Sequence, residues 1–600
     1  MDKIAVLDFG GQYAHLIANR IRRLGVYSEI LDGETKAADL AGYSGIVLSG
    51  GPASVHAKNA VKCDVGVFEL GVPVLGICYG HQLMADVLGG EVVPGTVPEY
   101  GPANVEILKK EGVLDDLDDE EHVWMSHFDQ VEKAPEGFEV IGRTDDTPVA
   151  AMADFEKKIY GVQFHPEVTH TPSGMNILRN FISICNARTE WNIDNYIEEI
   201  LKEIKEKVGD DKVFLMISGG VDSTVAFLLL EKALGADKVY GLFVDTGFMR
   251  MNERKEVEAA LKEVGVTNLH VEDASEEYFS KLKGVVEPEK KREIIGNLFV
   301  DIQQKVSDEL ELNADEWLFG QGTIYPDTIE TGGTKHAEKI KTHHNRVERI
   351  QKMMDAGKVI EPLRQLYKDE VRLVGERLGL KEEMVWRHPF PGPGLAVRCL
   401  CAEKEEVAPG LEKLEKEMNE MSGNFELKAK LLPIKSVGVQ GDERTYRHPA
   451  LVYGKQISWD ELNDLSTRLT NQFRDINRVI YGLSPNEYDA LTVQKTDLSK
   501  DRISVLQEAD KIVMDYLVEA KIDKEIWQFP TVLLPIQVGS QNGESVVLRP
   551  VCSEEAMTAN FFQMEWPVLN ELVKRLSSIS GVTGVFYDIT NKPPGTIEWE

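Results

Sequence analysis

The sequence predicts an α/β protein: two parallel α/β domains in series, then a smaller α+β domain. Three observations carry this. Short apolar, β-branched runs alternate with helical stretches through residues 3–188, the pattern of a parallel sheet covered by helices. The same alternation restarts after a Glu- and Lys-rich helix, "NYIEEILKEIKEKVG". Past about Arg387 the texture changes, because "HPFPGPGLAVR" is too rich in Pro and Gly for either element. The expected domains are 1–188, 189–387 and 388–600, a reasonable number for 600 residues.

Taken in order, "KIAVLD" is a first strand by apolar run and β-branching. A helix, "QYAHLIANRIRRLG", follows and closes at Gly25. "GIVLSGGP" and "VPVLGICYGHQ" are strands ending in turns, and "KKIYGVQFHPEV" supplies another. The second series reads strand "KVFLMIS", helix "STVAFLLLEKALG", strand "KVYGLFVDTG", helix "RKEVEAALKEVG" and strand "NLHVEDAS". This is a second sheet of nucleotide-binding type. The remainder mixes strands and helices and ends in "TNKPPGTIEWE". No internal repeat stands out.

A net charge of −33 disfavours nucleic acid as a partner, since nonspecific binding needs a basic face. A nucleotide substrate would require basic residues gathered locally, as in "EKKREIIG" and "TKHAEKIKTHHNR", and recruitment of Mg²⁺. No apolar run reaches the roughly 18 residues of a membrane span. The opening "MDKIAVLDFGGQ" reads as a strand rather than a signal peptide. Six cysteines, at 63, 78, 185, 399, 401 and 552, form no CxxC pair. A cytoplasmic protein without disulfides is expected.

"GICYGHQ" places Cys78 between a buried strand and a helix opening at about Tyr79, flanked by Gly76 and Gly80. Small residues on each side permit the sharp turn of a nucleophile elbow, with cysteine in place of serine. The helix N-terminus favours the thiolate form. Backbone N–H groups after the nucleophile can hold an oxyanion, and Gly51 in "SGGP" offers a second donor. A cysteine nucleophile needs a base and an orienter. "QFHPEV" provides His165 and Glu167, with Pro166 restricting the chain between them.

These three segments resemble the class I (triad) glutamine amidotransferase domain. The resemblance implies that Cys78 attacks the side-chain amide of glutamine, His165 shuttles the proton and Glu167 orients it. Gly51 and Tyr79 would donate to the oxyanion. Gln82 and the "MSHFD" segment, with Ser126 and His127, would line the glutamine pocket. Phe128 stands where the family usually has a small glycine.

"SGGVDST" follows a strand and opens a helix, yet lacks the lysine of a Walker A loop. Gly219 and Gly220 let the backbone approach an anion closely. Ser218, Ser223 and Thr224 carry hydroxyls, and the helix N-terminus supplies N–H groups. Asp222 reads as a helix cap, a magnesium partner, or both. The loop, Ser218 to Thr224 with Val221, resembles the pyrophosphate motif of the N-type ATP pyrophosphatases. That resemblance implies adenylylation of a substrate oxygen, release of pyrophosphate, and an adenine edge around Phe243, Val244 and Asp245.

"FGQGTIYPDTIE", "KTHHN", "EPLRQLYKDEVR", "RHPFPGPGLAVR", "GVQGDERTYRHP" and "NKPPGTIEWE" resemble the glutamine-hydrolysing GMP synthetase family, so the likeness spans the chain. It implies the substrates XMP, ATP and glutamine, Mg²⁺ with the ATP, and Asp222 as a metal residue. Asp327 and Glu330 would lie near ATP and Mg²⁺, with Lys335, Lys341 and His343 on a lid. Arg444, Lys592, Thr596 and Glu598 would contact XMP, arginine suiting a phosphate through its bidentate fork. The last domain would make a homodimer. The tail is poor in aliphatic residues, so its ordering points to a ligand role, with strand addition as the alternative. Two rival readings are another N-type synthetase (for asparagine, NAD or tRNA thiolation) and a non-catalytic protein on inactivated domains.

Overall fold

A computed structural model describes residues 2–11, 13–58, 60–266, 268–328, 348–440, 443–553 and 559–600. The expected site residues Glu330, Lys335, Lys341 and His343 lie outside the described residues. The chain forms two compact units, the first being residues up to Glu203 with the described residues 323–328 and Pro362–Val374 folded into it.

The first unit is built on nine strands. They are β1 (Lys3–Asp8), β2 (Tyr27–Asp32), β3 (Gly45–Leu48), β4 (Val74–Ile77), β5 (Glu91–Ile107), β6 (Glu120–Lys133), β7 (Glu139–Arg143), β8 (Ala151–Asp154) and β9 (Ile159–Val162). Their order is β2-β1-β3-β4-β9-β8-β7-β5-β6. The half from β2 to β9 is parallel, and its inner strands β1, β3, β4 and β9 are largely apolar runs, as in a sheet covered on both faces. The C-terminal ends of β3, β4 and β9 therefore lie side by side. The other half is antiparallel, which the alternating pattern did not anticipate. Arg22 is buried and pairs with Glu370 at 3.1 Å, which fixes Pro362–Val374 to this unit.

In the second unit, β10 (Lys212–Ile217), β11 (Val239–Asp245), β12 (Leu269–Asp273), β13 (Trp317–Gly320) and β14 (Val359–Ile360) form an all-parallel sheet. The order β12-β11-β10-β13-β14 reverses direction beside β10. Ligands of such sheets bind at that switch point, beyond the C-terminal strand ends. The loop Ser218–Gly220 stands there.

The rest of this unit carries a third sheet of different texture. β15 (Leu427–Leu431), β16 (Ser436–Gln440), β17 (Glu443–Gly454) and β18 (Ile476–Ser484) come first. β20 (Thr531–Leu534), β22 (Glu544–Leu548) and β25 (Val582–Asp588) complete it, while β19 (Leu491–Val493) with β21 (Ile536–Val538) and β23 (Val551–Cys552) with β24 (Asn560–Phe561) form two separate ladders. The main order is β15-β17-β18-β25-β22-β20. Its two halves have the same αββαβ succession. Helix Leu411–Gly423, β15, β17, helix Trp459–Gln472 and β18 match helix Lys500–Ala520, β20, β22, helix Trp566–Leu576 and β25. The chain thus does contain an internal repeat. It escaped the sequence reading because the connections differ in length, while the shared residues are few and scattered.

Candidate active sites

Cys78 has φ +53° at the junction of β4 and the helix Tyr79–Val87. That backbone is strained for a residue with a side chain, as a nucleophile elbow demands. The turn is held by Cys78 N–H to Val162 O (2.8 Å) and Gly80 N–H to Ser49 O (3.0 Å). Glycine is required at 80: a Cβ there would lie 2.3 Å from Leu48 O. Tyr79 opens the helix, and first-turn N–H groups have no partner inside a helix. Gly51 packs directly on it, since a Cβ at 51 would stand 3.1 Å from the Tyr79 ring. Of the two expected oxyanion donors, Tyr79 follows Cys78 directly and Gly51 packs on the Tyr79 ring.

His165 Nδ1 lies 2.7 Å from Glu167 Oε1, and both side chains are buried. A Cβ on Gly50 would meet His165 Cε1 at 3.3 Å and Cys78 Cβ at 3.8 Å, so the two side chains face one space. Burial acts to lower the His165 pKa. The charges of Glu167 and Cys78, with hydrogen bonds to each, outweigh it and raise the value well above the ordinary one. Cysteine, imidazole and carboxylate therefore form a coupled triad.

Three supports of this triad carry no local sequence signal. The Tyr13 ring meets His165 edge-on at 5.4 Å. Thr171 Oγ1 donates to His165 O at 2.7 Å, and Arg20 Nε donates to Glu167 O at 3.2 Å. Ser126 O accepts from the Cys78 thiol at 3.6 Å. Gln82 is buried and donates to Asp129 O and to Gln163 Oε1. His127 is held between Asp129 O (3.0 Å) and Glu99 Oε2 (3.1 Å). Phe128 is exposed. His81, also in "GICYGHQ", is wholly buried, and burial pushes its pKa down to about 4.

At the second site Gly219 has φ +80° and turns the chain from β10 toward the helix Val221–Leu234. The Ser223 hydroxyl accepts from Ser218 N–H (3.1 Å) and donates to Gly220 O (3.1 Å). Thr224 Oγ1 donates to Gly220 O at 2.9 Å. Gly220 is the N-cap and no side chain caps the helix, so Asp222 lies in the first turn and is not its cap. A carboxylate there still suits the helix dipole. Phe243 and Val244 are buried, and Phe243 lies beneath Gly219, where a Cβ would meet its ring at 3.2 Å. Arg387 braces the loop by donating to Gly219 O (3.0 Å) and to the buried Glu253 carboxylate (2.8 Å). The expected residue Asp327 instead belongs to the first unit, where it is exposed and its carboxylate accepts from Ile324 N–H at 3.1 Å. Beside Asp245 opens a cleft of about 660 Å³ bordered by Arg250, Arg254 and Lys500.

The third group of expected residues is split. Thr596 and Glu598 are gripped by buried arginines. Arg478 Nη2 donates to Thr596 Oγ1 (2.9 Å), and Arg398 makes two bonds to the Glu598 carboxylate (2.8 and 3.0 Å). Glu598 and Asp510 keep Arg398 charged against the burial that disfavours it. Lys592 exchanges backbone hydrogen bonds with Ala559, and partial burial lowers its pKa. Arg444 is exposed, 3.4 Å from Glu289. Its strand β17 pairs with β16, and β16 pairs with the tail through Gly438 and Gly595. The tail also buries Trp599 completely, so it does gain from core packing, and it meets β16 through an isolated bridge rather than as a strand. Lys291 of "EKKREIIG" is likewise buried against Glu600 at 2.6 Å.

Three family models match: "Glutamine amidotransferase class-I" over residues 5–185, "NAD synthase" over 193–304, and "GMP synthase C terminal domain" over 415–491 and 515–599. A protein of Leptospira interrogans named as a probable glutamine-hydrolysing GMP synthase is 48% identical over 605 residues, covering 100% of this chain and 99% of its own. The GMP synthase of Syntrophomonas wolfei is 39% identical at the same coverage. That of Aquifex aeolicus is 45% identical over 80% of this chain and 97% of its own length.

Proposed function

The chain belongs to the glutamine-hydrolysing GMP synthase family, and on that premise we propose the residue roles by which it works. It is a ligase that converts XMP, ATP, glutamine and water to GMP, AMP, pyrophosphate and glutamate. The single observation that carries the first half is Cys78 at φ +53°, coupled to the His165–Glu167 pair.

Cys78 attacks the glutamine side-chain carbonyl, and the oxyanion forms against the N–H groups of Gly51 and Tyr79. His165, held protonated by Glu167 and the thiolate, gives its proton to the departing amine. Water then cleaves the thioester, with His165 taking the proton back. Gln82 and His127, both buried and hydrogen-bonded from beneath, fix the wall of the glutamine pocket, and Ser126 contributes its carbonyl.

In the second half the loop Ser218–Thr224 cradles the pyrophosphate of ATP with backbone N–H groups and hydroxyls. Phe243 supports the loop from below, with the backbone at Val244 offering the adenine edge. Arg387 fixes the carbonyl of Gly219 so that the N–H groups face the anion. Asp222 and the hydroxyls of this turn are hard oxygen donors that fit Mg²⁺, which would bind chiefly through phosphates and water. When bound, that ion neutralises phosphate charge. XMP, held by Lys592, Thr596, Glu598 and Arg444, presents its 2-oxygen to the α-phosphate, and ammonia displaces AMP from C2. Asp327, and Lys341 outside the described residues, belong to the ATP side of this reading. Six cysteines, all free thiols, suit a cytoplasmic enzyme.

The deciding experiment is Cys78→Ala, assayed with either nitrogen donor. Glutamine-dependent GMP formation should vanish while ammonium-dependent formation persists. Equal loss of both would refute the division of labour.

A further inference from the structure

Six charged side chains of alternating sign, all buried or half-buried, form one row through the second unit. At one end Arg387 donates to Gly219 O and to the Glu253 carboxylate, at 3.0 and 2.8 Å. The other Glu253 oxygen accepts from the backbone N–H of Arg250 at 3.0 Å. Arg250 Nε stands 3.3 Å from Asp510 Oδ2, and Asp510 Oδ1 stands 4.0 Å from Arg398 Nη1. Arg398 makes its two bonds to Glu598 at the far end. The row thus begins at the loop after β10, passes the turn after β11 and the helix Lys500–Ala520, and finishes in the tail.

Its middle is built differently from its ends. The ends are aligned hydrogen bonds. In the middle, Arg250 Nε and Nη2, Asp510 Oδ1 and Arg398 Nη1 are buried and carry no hydrogen bond. Asp510 therefore holds the two arginines chiefly by its charge. The Phe390 ring lies 4.7 Å from the Arg250 guanidinium and 5.2 Å from that of Arg398, so both cations rest on one aromatic side chain. Burial disfavours the charge on Arg250, and Asp510 is foremost among the groups that oppose this.

Three cations and three anions make the row neutral. Without the Asp510 charge, two arginines would share one ring with no anion between them, and a broken buried pair leaves an uncompensated charge. Arg398 would then be drawn along Glu598. Arg250 would be drawn to Glu253, the carboxylate that holds Arg387 on Gly219 O.

We infer that Asp510 is a positioning residue for both nucleotides. By spacing Arg250 from Arg398 it sets the carbonyl of Gly219 at the pyrophosphate loop and the carboxylate of Glu598 at the XMP site. Its two arms rest on the roles proposed above for that loop and for Glu598.

Asp510→Asn keeps the shape of the side chain and removes its charge. With the full chain, ammonium as donor, and a temperature at which melting curves show the variant folded, the KM for ATP and the KM for XMP should each rise about tenfold, the scale of coupling within one charged network. Arg250→Met alone should raise both as well. The double variant is neutral again, so both values should return toward the wild type. Losses that merely add, as a purely structural role predicts, would overturn the proposal, and so would two unchanged KM values. Should Asp510→Asn alone not fold, the double variant must still bind both nucleotides better than Arg250→Met, and equal or weaker binding overturns the proposal. Glu598→Gln separates the two layers of the argument. If it raises the KM for XMP while Asp510→Asn does not, the positioning role fails. If neither variant moves that KM, the XMP reading of Glu598 fails, and the ATP arm stands or falls on its own KM.

Discussion

His165 Nδ1 and Glu167 Oε1 stand 2.7 Å apart across a single proline, both out of reach of solvent. The carboxylate selects the tautomer of the imidazole and stabilises its protonated form. Glu167→Gln should lower glutamine-dependent turnover by about 10²–10⁴-fold, the range of orienting carboxylates in triads. Ammonium-dependent GMP formation measured in parallel should not change.

The same pair sets a pH dependence. The His165 pKa is raised in the fold, burial being outweighed by Glu167 and Cys78. A raised histidine contributes stability that is full below its unfolded value of about 6.5 and is lost as pH climbs through the folded value. Denaturant titrations of the wild type and Glu167→Gln should differ most near the acidic end of that window and converge at high pH.

Gly80→Ala would set a Cβ 2.3 Å from Leu48 O, an atom of the sheet itself that has no freedom to retreat. The elbow must shift, at a cost of about 1–3 kcal/mol for an overpacked site. The melting temperature should fall and glutaminase activity with it. Synthesis from ammonium should survive at temperatures where the variant is folded.

Asp222 and Gly220 separate structure from chemistry at the second loop. Because Gly220 is the cap, Asp222→Asn should leave the helix that starts at Val221 in place, read as an unchanged circular dichroism spectrum. Pyrophosphate release should nevertheless collapse with either nitrogen donor. Retained release at saturating Mg²⁺ would remove Asp222 from the metal's surroundings.

Lys592→Met keeps the length of the side chain and removes its charge. The KM for XMP should rise about tenfold to a hundredfold, the worth of a hydrogen bond to a charged group. Glutamine hydrolysis measured without XMP should be unaltered.

The parallel strands and both elbows were legible because each is a local pattern. "VLGICYGHQ" and "LMISGGVDST" each announce a strand, a tight turn and a helix within ten or so residues. What stayed hidden depends on distant parts of the chain. The antiparallel strand β5 contains Pro94, Pro98 and Pro102 and two glycines, which read as breakers, and its ladder with β6 slips between Pro94 and Glu99 yet resumes through Gly101 and Pro102. Arg387 reaches Gly219 across 168 positions, and Tyr13 reaches His165 across a similar gap. The tail was misjudged on composition: its few apolar groups include Trp599, which the core encloses entirely.

The stacked pair Trp459 and Trp566 also bears on how this protein can change over generations. In an assembly of identical subunits every substitution is written twice, once on each side of the axis, so a harmful change strikes both sites and a helpful one cannot be tried on one alone. With both halves encoded separately, Trp566 can be altered while Trp459, stacked on it at 4.6 Å, is kept. One half is free to specialise in chemistry while the other drifts toward pure scaffolding.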